Sequence, residues 1–366
     1  MSTTERIAAL RERLRERGLD AAVITHPSNR FWLSGYTGED IPPNESSGHL
    51  VIGLEAAYLV TSRLNAEQAR QQAAGFTIYD RERDFAKADA AVIRELSAQR
   101  IGFEDQAILY RDYCTLQDEL GEGVELVALE TLVDDLRAVK TPEEIELIVR
   151  AQALTDQAFM QVAPTIRPGQ TERLIAWRLE QVLRELGADG PAFPIAVASG
   201  PNGALPHYRP TDRQVQPGEP IVIDMGAMLA GYCADLTRTV WIGEAGEQLE
   251  HVFKVVLAAL EAAELGIRAG MTGKEADALA RDVIAAAGYG EAFTHSLGHG
   301  VGVRVHEAPH LSPRGDRPLE AGHVVTIEPG IYIPGWGGVR IEDLAVVEPD
   351  GVRILTTVPK RITILP

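Results

Sequence analysis

Apolar positions recur at helical spacing through residues 4–18 on a background of Arg and Glu, which predicts an amphipathic helix. It leads into the short apolar run Ala21-Ala22-Val23-Ile24-Thr25. Two more runs, Leu50–Gly53 and Ala57–Val60, flank Leu54-Glu55-Ala56 and read as paired strands. Helical patterns near 64–74 and 86–98 and a strand around Ile101-Gly102-Phe103 complete a small α/β domain, assigned to residues 1–134. A second domain, 135–366, opens at Thr141-Pro142-Glu143-Glu144. There a capping Thr is followed by Pro at the first helical position and by Glu three residues on, a capping box. Ile145, Ile148, Val149, Ala153, Phe159 and Met160 carry the helical period on towards Pro164.

Beyond this helix the chain repeats itself. Ile166-Arg167-Pro168-Gly169-Gln170-Thr171 recurs 101 residues later as Ile267-Arg268-Ala269-Gly270-Met271-Thr272. Each copy opens a helix that ends in Gly, at Leu186-Gly187 and Ala287-Gly288. Ala198-Ser199-Gly200 then matches Gly298-His299-Gly300, and His207 matches His306. Gly218 to Gly226 matches Gly322 to Gly330, which pairs Asp224 with Glu328; Asp235 and Glu342 follow as a second pair. The offset drifts slowly, as a duplication with small loop insertions requires. The fold class is therefore α/β in two domains, the second with an internal pseudo-twofold duplication.

Each half supplies an apolar strand ending in a carboxylate, a Gly-rich turn, and a second strand carrying another carboxylate. The strands are Ile221–Asp224 with Tyr232–Val240, and Val324–Glu328 with Val339–Val347. Antiparallel hairpins can set two such side chains on one face. Two hairpins brought together would gather Asp224, Asp235, Glu328 and Glu342. Four carboxylates on apolar strands repel and lose hydration, so either several are protonated or cations neutralise them. Two divalent ions match the charge. Oxygen-rich ligation with one imidazole suits Mn²⁺ or Co²⁺ better than a thiolate-type zinc site, with Zn²⁺ a further option. The imidazole candidate is His299, one of four histidines (His295, His299, His306, His310) within 16 residues. Paired metals of this kind activate water and polarise a carbonyl.

Two motifs mislead. His306-Glu307-Ala308-Pro309-His310 matches H-E-x-x-H, which needs a helix to bring both histidines to one face. Pro309 disrupts such a helix, and Val301–Val305 alternates like a strand. The glycines at 298, 300 and 302 do not make a dinucleotide-binding turn, because position 303 is Val.

Composition narrows the remaining classes. With 35 Lys and Arg against 53 Asp and Glu, the net charge of −18 argues against nucleic acid, whose affinity is built largely on cations. No apolar run is long enough to span a membrane, and the N-terminus lacks the apolar segment of a secretory signal. Two cysteines, Cys114 and Cys233, make no disulfide framework, so a reducing, cytoplasmic setting is expected.

Asp224 and Asp235, Gly-His299-Gly-Val-Gly, His306-Glu, Ile-Glu328-Pro-Gly and Val-Arg340-Ile-Glu342-Asp together resemble the pita-bread metallopeptidases, the family of methionine aminopeptidase, aminopeptidase P and prolidase. The match covers about 135–366. The first third, through Asn29-Arg30-Phe31-Trp32-Leu33-Ser34-Gly35-Tyr36-Thr37-Gly38, resembles the creatinase-type N-terminal domain of the Xaa-Pro branch.

The resemblance implies a pita-bread catalytic domain and a dinuclear centre, usually Mn²⁺ or Co²⁺, held by Asp224, Asp235, His299, Glu328 and Glu342. Asp235 and Glu342 would bridge both ions, and Glu328 would take the proton of the attacking water. His207 and His306 would line the proline pocket and stabilise substrate and intermediate, with His295 and Arg340 as supporting polar residues. It further implies small peptide substrates with proline second, and a homodimer.

Arg304 and His310 depart from the family pattern and bear on the outer subsites; Arg304 is expected on the strand face of His306. Cys233 reads as a small buried residue. Trp336 reads as a loop aromatic that touches either substrate or an interface. A prolidase and an aminopeptidase P both fit, the former needing a cation such as Arg30 or Arg63 for the substrate carboxylate. A metallo-aminopeptidase without proline specificity and a non-catalytic binding protein on the same fold are the other readings. A metal-free, creatinase-like hydrolase is disfavoured because all five ligands are present.

Overall fold

The computed structural model describes residues 2–40, 45–81 and 84–365. The chain divides into two compact units, Met1–Arg137 and Ala138–Pro366.

Among the described residues of the first unit, six strands form one sheet in the order Thr77–Asp80, Ala57–Thr61, Gly48–Gly53, Ala21–Ile24, Arg100–Phe103, Glu125–Ala128. The fully buried strand Ala21–Ile24 runs antiparallel to Gly48–Gly53 and parallel to Arg100–Phe103. Val23, Val51, Val60, Ile93 and Ile101 form the core beneath it. Residues 27–34, read above only as part of a family pattern, form a helix. His26 Nδ1 caps its start from Ser28 N at 3.1 Å, Pro27 presets the first turn, and Gly35 ends it at φ +76°. Arg30 on this helix is 1% exposed and is held by Asp40 at 2.9 Å and by the carbonyls of Gly38 and Gly48. Arg63 is exposed and pairs with Asp80 at 2.7 Å. The guanidinium of Arg30 is thus a bolt inside this unit and not the open carboxylate clamp that the sequence suggested.

In the second unit the repeat is visible element by element. Helices Pro142–Val162 and Glu172–Glu185 correspond to Glu247–Gly266 and Gly273–Ala286. Thr171 and Thr272 cap the second helix of each pair through their hydroxyls. The glycines two residues before them, Gly169 and Gly270, adopt matching φ of +86° and +88°, which a residue with a Cβ resists. Each half then builds an antiparallel pair: Ile221–Met225 with Leu236–Ile242, and Val324–Ile327 with Asp343–Glu348. The halves are stitched where the pairs meet. Glu342 N donates to Thr237 O at 3.0 Å, and Thr239 Oγ1 both accepts from Arg340 N and donates to Arg340 O.

The second strand of each half is broken at a matching point. Ala234-Asp235 separates Tyr232–Cys233 from Leu236–Ile242, and Ile341-Glu342 separates Gly337–Arg340 from Asp343–Glu348. Residues 301–306 are a series of bends and not the expected strand; pairing lapses between Gly298–Gly300 and Glu307–Leu311. Arg304 and His306 therefore share no strand face. His310 lies on a strand, as Pro309 required, so H-E-x-x-H has no helix here. Trp336 packs, half-buried, against the core cluster that contains Ile331 and Val339 and is not among the residues lining the cavity described below.

Buried His323 supplies a pH-dependent element. Its Nδ1 accepts from Glu320 N at 3.0 Å, which requires a bare nitrogen, and burial and nearby Lys140 bring its pKa down to about 4. The unfolded chain would take up a proton near pH 6.5 that the folded chain refuses until about pH 4. Stability is therefore lost as pH falls through that window, by up to about 3 kcal/mol. His323→Asn keeps an acceptor for Glu320 N without a titrating ring. Urea unfolding in EDTA at pH 7 and pH 4.5 is expected to show a smaller acid loss for the variant than for the parent.

Candidate metal centre

The strand geometry brings the four carboxylates to one place. Asp224 lies on Ile221–Met225 opposite Thr237, and Glu328 stands one residue beyond the Ile327–Asp343 pair. Asp235 and Glu342 occupy the two breaks, where backbone released from the ladder can turn its side chain inward. Asp224, Asp235 and Glu342 each offer an oxygen within 4.8 Å of the others'. His299 Nε2 lies 3.2 Å from Glu328 Oε1 and 3.8 Å from Asp235 Oδ2. Asp224 Oδ1 and Glu342 Oε1 are buried without a hydrogen-bond partner.

Electrostatics reflect this crowding. Burial, then repulsion from Glu342, Asp224 and Glu328, pushes Asp235 well above the usual carboxylate range. Burial, then Glu328 and Asp224, does the same to Glu342, and burial raises Asp224 against the pull of Arg340. Glu328 goes the other way: burial would raise it, but the hydrogen bond and charge of His299 hold it low. These directions describe four acids of which the protein alone compensates only part.

A polar chain backs the cluster. Arg340 donates through Nη2 to Asp224 Oδ2, through Nε to Thr237 Oγ1 at 3.0 Å and through Nη1 to Tyr332 Oη at 2.9 Å. His295 Nδ1 lies 2.7 Å from Ser296 O, and a carbonyl only accepts, so Nδ1 carries the proton. His295 Nε2 must then accept from Tyr332 Oη at 2.8 Å. Tyr332 escaped the sequence reading: in Gly330-Ile331-Tyr332-Ile333 it looks like an ordinary strand aromatic, and only the fold brings its hydroxyl to His295 and Arg340.

All nine residues singled out from the sequence, His207, Asp224, Asp235, His295, His299, His306, Glu328, Arg340 and Glu342, line one cavity of about 510 Å³ and form its polar wall, with His310 beside them. Phe193, Pro194 and Pro206 give it an apolar side. The rings of His299 and His306 meet edge to face at 4.3 Å. Burial and the neighbouring His299 bring the His306 pKa down to about 4, so its ring is neutral at pH 7. Cys233 is buried near Val303 O, and burial pushes its thiol up to about 12, which leaves it inert.

Family models match both units: metallopeptidase family M24 over residues 146–349 and the creatinase/prolidase N-terminal domain over 6–139. The chain belongs to metallopeptidase family M24. This M24 chain is 39% identical to an uncharacterized peptidase of Bacillus subtilis, over 98% of its own length and 100% of the relative's. It is 34% identical to the Xaa-Pro dipeptidase of Pyrococcus furiosus, over 96% and 97%. Among solved structures, the Xaa-Pro dipeptidase from Bacillus anthracis is 38% identical, covers both chains completely and superposes with a TM-score of 0.93. The X-Pro aminopeptidase from Thermotoga maritima is 36% identical over 96% and 99%, with a TM-score of 0.85. The two-domain α/β fold expected from the sequence is that of these M24 relatives.

Membership of M24 makes the chain a peptidase and implies divalent metal. The residues fit such an ion. Three inward carboxylates converge, and two of their buried oxygens lack any partner among the described residues. No helix among the described residues is long and apolar enough to cross a membrane.

Proposed function

We propose that this chain is a divalent-metal-dependent Xaa-Pro peptidase, cleaving between an N-terminal residue and a following proline. The observation that carries the reading is the convergence of Asp224, Asp235 and Glu342, with unpartnered buried oxygens, in a cavity that also presents His207 and His306. The names of the Xaa-Pro relatives support the substrate class.

Asp224, Asp235, His299, Glu328 and Glu342 would hold two divalent ions, Mn²⁺ in the first instance, with Co²⁺ and Zn²⁺ as alternatives. The ions would supply Lewis-acid activation of water and of the scissile carbonyl. The protein's own groups do the rest. Glu328 Oε1, fixed by Thr326 Oγ1 at 3.1 Å, takes the proton from the attacking water. Arg340 orients Asp224 and favours its charged form against the effect of burial, and is itself held by Tyr332 and Thr237. His306, neutral at pH 7, donates a hydrogen bond to the substrate from the cavity wall, and His207 faces the same space. The amide before proline has no N–H, so the pocket needs no acceptor there and can fit the ring against Phe193, Pro194 and Pro206. The leaving nitrogen gains its proton from Glu328. A cytoplasmic homodimer is part of the same reading, and light scattering would weigh it against the 39.7 kDa chain.

Hydrolysis of Ala-Pro, Ala-Pro-Ala and Ala-Ala, each with Mn²⁺ and with EDTA, tests the assignment. Metal-dependent cleavage of Ala-Pro is expected, favoured over the tripeptide because several relatives are named dipeptidases. Equal or better cleavage of Ala-Pro-Ala would make the enzyme an aminopeptidase P. Cleavage of Ala-Ala as fast as the proline substrates would remove the proline pocket.

A further inference from the structure

The segment that carries His207 has no ladder to hold it. Residues 205–213 form no strand, whereas the corresponding stretch of the other half enters the paired strand Glu307–Leu311. What replaces the ladder is one carboxylate. Glu172, the first residue of the Glu172–Glu185 helix and 0% exposed, accepts six hydrogen bonds. Its Oε1 takes Ser199 N and Ser199 Oγ, both at 2.8 Å, and Asn202 Nδ2 at 3.0 Å. Its Oε2 takes Tyr208 Oη at 3.0 Å, Thr211 N at 3.1 Å and Thr211 Oγ1 at 2.9 Å. Asn202 Nδ2 also donates to Tyr208 Oη at 2.6 Å. The carboxylate therefore grips the segment on both sides of His207 and through the adjacent side chain. Burial pushes its pKa up, but these donors outweigh it and hold the group ionised, an acceptor at every lone pair.

The pseudo-twofold repeat shows that the helix start does not need this acid for its own sake. The residue matching Glu172 is Gly273. There the backbone of His310 comes so close that a Cβ would lie 2.0 Å from His310 O. The backbone links are otherwise the same in both halves. Glu172 N donates to Arg213 O and Arg173 N to Thr211 O; Gly273 N donates to Arg317 O and Lys274 N to Gly315 O. Only the His207 half adds the side-chain clasp.

We propose that Glu172 is a positioning residue for catalysis, holding His207 at the cavity wall by way of Tyr208 and Thr211. The proposal rests on the reading of His207 as a substrate-binding group. Glu172 touches no substrate and acts only through the segment.

Its test is a double-mutant comparison on the Mn²⁺-loaded enzyme with Ala-Pro. Glu172→Gln turns an amide N–H₂ against three donors, so Tyr208→Phe, which removes one hydroxyl, is measured beside it. Expected are losses in kcat/KM of about 10- to 100-fold for Glu172→Gln and about tenfold for Tyr208→Phe, with bound Mn²⁺ unchanged. In a His207→Ala background neither substitution should lower kcat/KM further, because the group they position is gone. Amide exchange at residues 205–211 should quicken in Tyr208→Phe while the Glu172–Glu185 helix stays protected. Losses that multiply with His207→Ala would overturn the positioning role and leave His207 its own. His207→Ala with full activity would overturn the role of His207 first, and the proposal with it.

Discussion

Replacing Asp235 by asparagine will cost on the order of a thousandfold or more in kcat/KM on Ala-Pro, and the metal-free protein will become more stable at the same time. Both effects come from one crowded site. Asp235 is 4% exposed, sits in a strand break that aims it at Asp224 and Glu342, and is pushed up by burial and by three neighbouring acids. Without cations these groups destabilise the fold, because like charges are packed where water cannot screen them. An amide removes one of them, and a gain of about 1–3 kcal/mol in EDTA is expected from denaturant unfolding. With Mn²⁺ present the amide supplies no charge to an ion and the site loses its chemistry. A folded variant that kept its activity within tenfold, or bound as much Mn²⁺ as the parent, would take Asp235 out of the metal site.

Arg238→Met will lower the melting temperature by about 10 °C. Arg238 is 1% exposed, and each of its five N–H groups has an acceptor. Nε donates to Pro359 O at 3.1 Å; Nη1 donates to Thr237 O at 3.0 Å and to Glu342 O; Nη2 donates to Asp343 Oδ1 at 2.6 Å and to Val358 O at 2.8 Å. Methionine matches the length but leaves four carbonyls without that donor and leaves Asp343 with Lys360 at 3.5 Å as its nearest cation. Breaking a buried pair in this way costs about 3–5 kcal/mol, and a domain of this size loses roughly 2–4 °C per kcal/mol. Because Arg238 also grips the carbonyl of Glu342, affinity for Mn²⁺ should fall with it. Thermal unfolding with and without Mn²⁺ separates the two losses, and a melting point within 2 °C of the parent would show that the cluster is not needed.

The carboxylates were legible because duplication repeats them. Asp224 with Glu328, and Asp235 with Glu342, each read alone as a strand-end acid; in register they read as a constellation. Arg238 was not legible. In Leu236-Thr237-Arg238-Thr239-Val240 a charged residue between two threonines looks like the wet face of a half-buried strand, but this strand is covered on both faces and every residue of it is buried. Glu172 was hidden for a related reason, since Asp or Glu in a first helical turn is ordinary dipole compensation. In the first unit, the strands Thr77–Asp80 and Glu125–Ala128 lie at the two edges of the sheet and are only half covered. Short edge strands carry little apolar alternation, so nothing in their pattern announced them. The bends at 301–306 failed differently. Val301, Val303 and Val305 alternate as a strand would, but Glu307 draws the chain back: its Oε2 accepts from Arg304 N at 3.2 Å while Lys140 holds its Oε1 at 2.9 Å.

The central claim is that the buried acids are a metal site whose occupancy is the enzyme's activity. Titrating the EDTA-treated protein with Mn²⁺, while bound metal and Ala-Pro hydrolysis are followed in the same samples, tests it most directly. The prediction is no hydrolysis in the metal-free protein, a rate that rises with occupancy to two ions per chain, and neither binding nor rate in Asp235→Asn. Full hydrolysis by the metal-free protein, or Mn²⁺ bound equally by Asp235→Asn, would contradict it.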